Sequence, residues 1–237
     1  MFKKSLIDSW SFFNNHIVAI SAIVLPIVVP VEIITALYQY FATSEEFGLS
    51  EQIFPMSLWL LSYPLYAVGI VFYMASIVSG EMSDTRTLWR LGIKFWVPYI
   101  VLTIIIMITV LFGFMLLIIP GIILVVRYAF SEFDLLLNQS KPLDALKNSW
   151  ASTKEYMWVI LGGYVVITIV LYAPLYLVSS LFDESSISYF VFDTVTNVAY
   201  SVLEILYTIF AFRVYVLGGE QHNQSLNQTG ANNAPTG

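Results

Sequence analysis

Several apolar runs in this chain reach about 18 residues or more, the length a helix needs to cross the hydrocarbon core of a bilayer. The first, IVAISAIVLPIVVPVEIITALYQ, covers residues 17–39. A water-soluble fold of 237 residues would expose much of that surface. Charged residues make up only 11% of the chain, against roughly 25% in soluble domains. The chain is therefore read as an all-α polytopic membrane protein. Trp and Tyr, six and fifteen in number, suit it because their rings favour the membrane–water interfaces. The first run is longer than a signal-peptide core and no small-x-small site follows it, so it is taken as the first span.

Six crossings are predicted: Ile17–Gln39, Met56–Ser79, Val97–Ile119, Gly121–Leu137, Met157–Leu181 and Val191–Leu217. Lys and Arg collect on the cytoplasmic side of such proteins. Lys3 and Lys4 precede the first span, Arg86, Arg90 and Lys94 follow the second, and Lys141, Lys147 and Lys154 follow the fourth. The linkers after the first and fifth spans hold Glu45, Glu46, Glu51, Asp183 and Glu184 with no basic residue. Three hairpins with both termini cytoplasmic satisfy this distribution, and Pro120-Gly121 becomes the outer turn of the second hairpin. Pro26, Pro30, Pro64 and Pro174 should kink their spans, as neighbouring helices allow.

Each cytoplasmic segment reads as an amphipathic helix leading into a hairpin. Leu6, Trp10 and Phe13, then Leu88, Leu91 and Phe95, then Leu143, Leu146 and Trp150 recur at helical spacing. SLIDSW and ALKNSW even share a Ser-Trp pair. Such helices can be ordinary juxtamembrane segments, or can lie in the interface plane as platforms for lipid headgroups or partners.

Charges inside a bilayer cost about 2.5–3.5 kcal/mol each on insertion scales, so they should face protein or water. Arg127, Ser131, Asp134 and Asn138 share one face of the fourth span, from which Glu132 departs. Asp193, Asn197, Ser201, Glu204 and Thr208 form a stripe on the sixth span, and Ser21, Glu32, Thr35 and Gln39 one on the first. A common polar interior built on Glu32, Arg127, Asp134, Asp193, Asn197 and Glu204 is the expectation. Similar depth makes Glu32 and Arg127 candidates for an ion pair, whereas Arg213 near the cytoplasmic end can snorkel to the headgroups. The stripes fit either interhelical hydrogen bonds that set register or a pathway for a proton, cation or solute.

No cysteine is present, which excludes disulfides, thiolate metal sites and cysteine nucleophiles. A net charge of −6 argues against nucleic-acid partners. No nucleophile elbow, P-loop, GxGxxG or HExxH occurs, so no enzyme activity and no cofactor or metal is expected. Glu132 and Asp134, two residues apart, project from different helix faces, a poor geometry for paired acid–base work. From Gly218 to Gly237 the chain is polar, nearly uncharged and without apolar periodicity, which predicts a disordered cytoplasmic tail.

The segment IIPGIILVVRYAFSEFDLLLNQSKPLDALKNSWASTKEYMWVILGG resembles the YciC family of bacterial inner-membrane proteins, to which no activity is assigned. It is also similar to the membrane domain attached to some glycerophosphodiester phosphodiesterases. The residues that carry the resemblance are Pro120, Gly121, Ile122, Arg127, Ala145, Leu146, Ser149 and Trp150, joined by AFRVYVL at the end of the sixth span. The likeness covers about residues 80 to 217, and no phosphodiesterase domain accompanies it. It implies a six-span protein of the bacterial inner membrane concerned with envelope or lipid homeostasis, with lipids and other inner-membrane proteins as partners. The leading expectation is a non-enzymatic envelope factor or scaffold; the alternative is a small transporter or channel using the polar stripes.

Overall fold

The computed structural model describes residues 2–42, 49–81, 83–179 and 187–232. Glu45, Glu46, Asp183 and Glu184, which helped to orient the spans, lie outside them. Every described element is an α-helix: α1 Phe2–Ala42, α2 Leu49–Ser79, α3 Thr85–Lys94, α4 Trp96–Leu116 and α5 Ile118–Arg127, followed by α6 Ser131–Leu137, α7 Pro142–Ser152, α8 Met157–Ser179, α9 Ile187–Leu203 and α10 Ile205–Asn232. Among the described residues, five segments are long and apolar enough to cross a membrane: Phe2–Phe41, Gln52–Ser79, Trp96–Leu116, Met157–Ser179 and Phe190–Gly219.

The expected fourth span, Gly121–Leu137, is not one of these five. It is broken into the ten-residue α5 and the seven-residue α6. The two pieces nevertheless run along α4 together. Gly121 lies against Gly113 near one end of α4, where a Cβ on either glycine would clash with Leu124 or Phe114. Near the other end, the Tyr99 hydroxyl reaches Glu132 of α6.

Other boundaries differ too. The first amphipathic segment is not a separate helix, because α1 continues from it into the span without interruption. Pro26, Pro30 and Pro64 likewise lie inside continuous helices. The last span is divided at Glu204 into α9 and α10. The backbone then stays helical to Asn232, past Gly218, where the sequence predicts the start of a disordered tail. Extending an existing helix avoids the nucleation cost that an isolated polar segment would bear.

The amphipathic segments dock partly through the expected face. Leu88 and Leu91 of α3 with the adjoining Phe95, Leu6 and Phe13 of α1, and Leu146 of α7 pack inward, whereas Trp10, Leu143 and Trp150 do not. In α7 the buried residues are Ala145, Leu146 and Ser149, while Leu143 and Trp150 are exposed. In α1, Ser5, Ser9 and Phe13 are buried and Trp10 is 48% exposed. In α3, Leu88 and Gly92 are buried and Ile93 is exposed. Each segment thus turns a small residue (Ser9, Gly92 or Ser149) inward and leaves the next, large apolar residue outside. Small side chains let helices approach closely where packing, not water exclusion, drives association. Gly92 shows the limit: a Cβ there would stand 2.4 Å from the Leu65 carbonyl oxygen of α2.

Two indole donors also fix α3 and the start of α4. Trp89 Nε1 donates to the Ile23 carbonyl (3.2 Å) and Trp96 Nε1 to the Leu61 carbonyl (2.8 Å). Helices α1, α2, α6, α8 and α10 share one apolar core that includes Phe13, Ile20, Val71, Met74, Phe133 and Phe210. Gly163 is required there, since a Cβ would meet the Phe210 ring at 2.0 Å.

Candidate functional site

The break between α5 and α6 exposes backbone groups that a continuous helix would pair, and in a membrane these must find partners. Helix α7 supplies them. Ser149 Oγ donates to the Arg127 carbonyl (2.8 Å) and accepts from the Phe130 N–H (3.1 Å). Thr153 Oγ1 shares its one proton between the Ser149 carbonyl (2.7 Å) and the same Arg127 carbonyl (3.1 Å). The Arg127 guanidinium stacks over the Trp150 ring at 4.5 Å, a cation–π contact. Arg127, Ser149 and Trp150 therefore serve one local structure, the stitched helix break. Pro120-Gly121, expected as the outer turn, lies inside α5; the reversal itself is at the extended Leu117, and Gly121 instead gives the close approach to α4.

Asp134 completes the junction on the far side of α6. Its Oδ1 accepts from Asn138 Nδ2 (2.7 Å) and its Oδ2 from Asn148 Nδ2 (2.9 Å), while Asn138 also donates to the Tyr215 hydroxyl (3.3 Å). Both carboxylate oxygens of this buried group are engaged, which offsets its desolvation.

Glu132 faces the other way, into a cleft of about 910 Å³. Helix α2 contributes Trp59, Tyr63 and Tyr66; α4 contributes Tyr99, Leu102, Thr103, Ile106 and Met107; α5 contributes Ile122, Val125 and Val126. The opposite wall comes from Tyr164, Thr168 and Tyr172 of α8 and from Glu204, Tyr207 and Thr208. Seven of the lining residues are tyrosines. Tyr99 donates its hydroxyl to Glu132 Oε2 (2.7 Å), and Tyr172 donates to Glu204 Oε1 (2.8 Å). The hydroxyls of Tyr207 and Thr168 bond each other at 2.7 Å, and the Tyr200 hydroxyl donates to the Leu171 carbonyl. These bonds tie α8 to the α9–α10 break. Trp59, Thr168, Ile169 and Tyr172 line the cleft and are themselves exposed, so it opens to the outside of the helix bundle.

The six residues expected to form one polar interior occupy different contacts. Asn197 donates to Asp193 Oδ2 (3.1 Å) within α9, and Glu32 of α1 lies within electrostatic reach of Asp193. Arg127 stacks on Trp150, Asp134 binds two asparagines, and Glu204 lines the cleft. No Glu32–Arg127 ion pair forms. The ion pair among the described residues is Arg213 to Asp8 at 3.0 Å, so Arg213 ties α10 to the start of α1. His16, at the edge of the first span, hydrogen bonds the Tyr73 hydroxyl (2.9 Å).

Glu132, off every polar stripe of the sequence, is the charge that marks the cleft. The signal for its surroundings lay in the tyrosines. Tyr164, Thr168 and Tyr172 recur at four-residue spacing well inside one span, so they share a helix face. Counting the tyrosines as interfacial belt residues hides that periodicity. Comparison with protein-family models, curated proteins and solved structures found no match.

Proposed function

We propose that this chain is a non-enzymatic, multi-pass protein of the bacterial inner membrane that takes an amphipathic, lipid-like molecule into the cleft, as an envelope or lipid-homeostasis factor. The cleft carries this reading: about 910 Å³, walled by aromatic and aliphatic side chains with a few placed polar groups, and open to the bundle surface. Ligand sites commonly have about 300–1,000 Å³ and that apolar-with-polar lining. The resemblance to the YciC family is part of the same proposal and brings no activity of its own. The transporter reading has less support, because Glu32, Arg127 and Asp134, which it places beside Glu204, do not line the cleft.

The proposal includes six crossings with both termini cytoplasmic. Its support is the path of α5 and α6 along α4, from Gly121 at one end to Glu132 at the other, and the placement of the Lys and Arg residues. The chain has no cysteine, so single cysteines report topology without background. Lys147→Cys should react only with a reagent that enters the cytoplasm, and Leu117→Cys with one confined to the outer side. Labelling of Lys147→Cys from outside would overturn the arrangement. For the function, purified protein in nanodiscs should bind a neutral fluorescent amphiphile such as N-phenyl-1-naphthylamine, and Ile106→Trp, which fills the cleft, should abolish it. Unchanged binding to that variant would remove the cleft as the site. A deletion strain should show altered lipid composition.

A further inference from the structure

The acidic side chains of the cleft have no basic partner in its lining. Glu132 and Glu204 line it, and among its described lining residues there is no Lys, Arg or His. Each carboxylate receives a tyrosine hydroxyl on one oxygen, Oε2 of Glu132 from Tyr99 and Oε1 of Glu204 from Tyr172. Asp134, by contrast, has both oxygens satisfied by asparagine amides. Each cleft carboxyl therefore keeps one oxygen with acceptor capacity, on a mostly apolar lining where a cation is attracted more strongly than in water.

Aromatic rings add to this. Tyr63 packs edge-to-face on Tyr66 at 5.4 Å, and Tyr164 on Tyr207 at 5.3 Å. Ring faces carry negative quadrupole charge and attract ammonium-type centres within about 6 Å. Two carboxylates among tyrosine rings suit a positive charge too bulky and apolar to be well hydrated. They do not suit a phosphate-bearing headgroup, whose anion would find no cation in this lining.

Resting on the reading that the cleft takes an amphiphile, we infer that its ligand is a lipophilic cation. One ammonium- or phosphonium-like centre would sit between Glu132 and Glu204, with the apolar body against α4, α5 and α8. Neither carboxylate has a reaction to perform in this arrangement; they set the sign of the charge accepted.

Tetraphenylphosphonium and tetraphenylborate test this, because they share a shape and differ in charge. Binding to protein in nanodiscs of zwitterionic lipid is measured by equilibrium dialysis, with protein-free nanodiscs subtracted. The phosphonium should bind at least about tenfold more tightly than the borate. It should lose about tenfold in the Glu132→Gln/Glu204→Gln protein, which keeps an oxygen for each tyrosine hydroxyl. The neutral N-phenyl-1-naphthylamine should bind both proteins equally, which also reports that the double variant is folded. Equal affinity of wild-type protein for the two ions, or full phosphonium affinity in a double variant that binds the neutral probe, would overturn the charge assignment and leave the amphiphile site standing. If none of the three probes binds wild-type protein, or all bind Ile106→Trp unchanged, the amphiphile reading itself fails.

Discussion

Two helices of this protein are interrupted, and the interruptions are treated in opposite ways. Between α5 and α6 the freed backbone groups are closed by Ser149 and Thr153 of α7, with Arg127 held on Trp150. Between α9 and α10 the backbone closes on itself, with the Glu204 N–H on the Tyr200 carbonyl and the Tyr207 N–H on the Glu204 carbonyl. The Glu204 side chain is thereby left to line the cleft. The first break is stitched by a neighbour and is structural. The second presents a carboxylate to an open space, where it is available to a ligand.

The contrast predicts unequal responses to substitution. Ser149→Ala should have the largest effect on stability. It strands a buried N–H at Phe130 and removes one of the two side-chain donors to the Arg127 carbonyl, a loss of about 2–3 kcal/mol. Thermal unfolding in detergent checks this; a midpoint within error of wild type would mean that the junction is not stitched as described. Asp134→Ala should follow at about 2 kcal/mol, because two asparagine amides lose their acceptor. Its effect should overlap with that of Asn148→Ala: the double change should cost less than the sum, and strict additivity would show that the pair is not coupled.

Arg127→Lys is a finer probe, since it keeps the charge and gives up the planar stack on Trp150. A loss of about 1 kcal/mol is expected, with Trp150→Leu giving a similar value and no further loss in combination. At the other break, Glu204→Gln should leave the melting midpoint within about 0.5 kcal/mol of wild type while altering ligand binding. A large destabilisation would make the two breaks alike and sink the comparison. Asp8→Asn at the half-exposed Arg213 pair should likewise cost little, at most about 0.5 kcal/mol and less with added salt.

Legibility differed between fold and site for a definite reason. Apolar length and the distribution of Lys and Arg speak through local composition, so helices and their grouping can be read from residues 17–39 or 157–181 alone. The break at 128–130 cannot: Ile118 to Leu137 is continuous in apolar character, and what ends α5 is the availability of Ser149 and Thr153 some twenty residues later. Trp10, Leu143 and Trp150 were expected on the docking faces of α1 and α7 and are exposed, because the hydrophobic pattern marks both packed and lipid-facing positions. In a bilayer, Leu143 and Trp150 gain nothing by hiding from lipid, whereas Ser149 gains by approaching Arg127.

The sequence by itself determined that this is a helical chain with segments long and apolar enough to cross a membrane, with small residues at Ser9, Gly92 and Ser149 and carboxylates within the apolar segments. Only the tertiary structure decided what each carboxylate does. Glu132 and Asp134 differ by two positions on a seven-residue helix, so the helix directs them to different neighbours. Asp134 meets asparagines that consume it, and Glu132 meets a tyrosine and a cavity. The Asp134–Asn138 contact is a local i, i+4 pair legible in the sequence. The tyrosine and cavity that Glu132 meets come instead from helices far along the chain, and no local pattern carries that information.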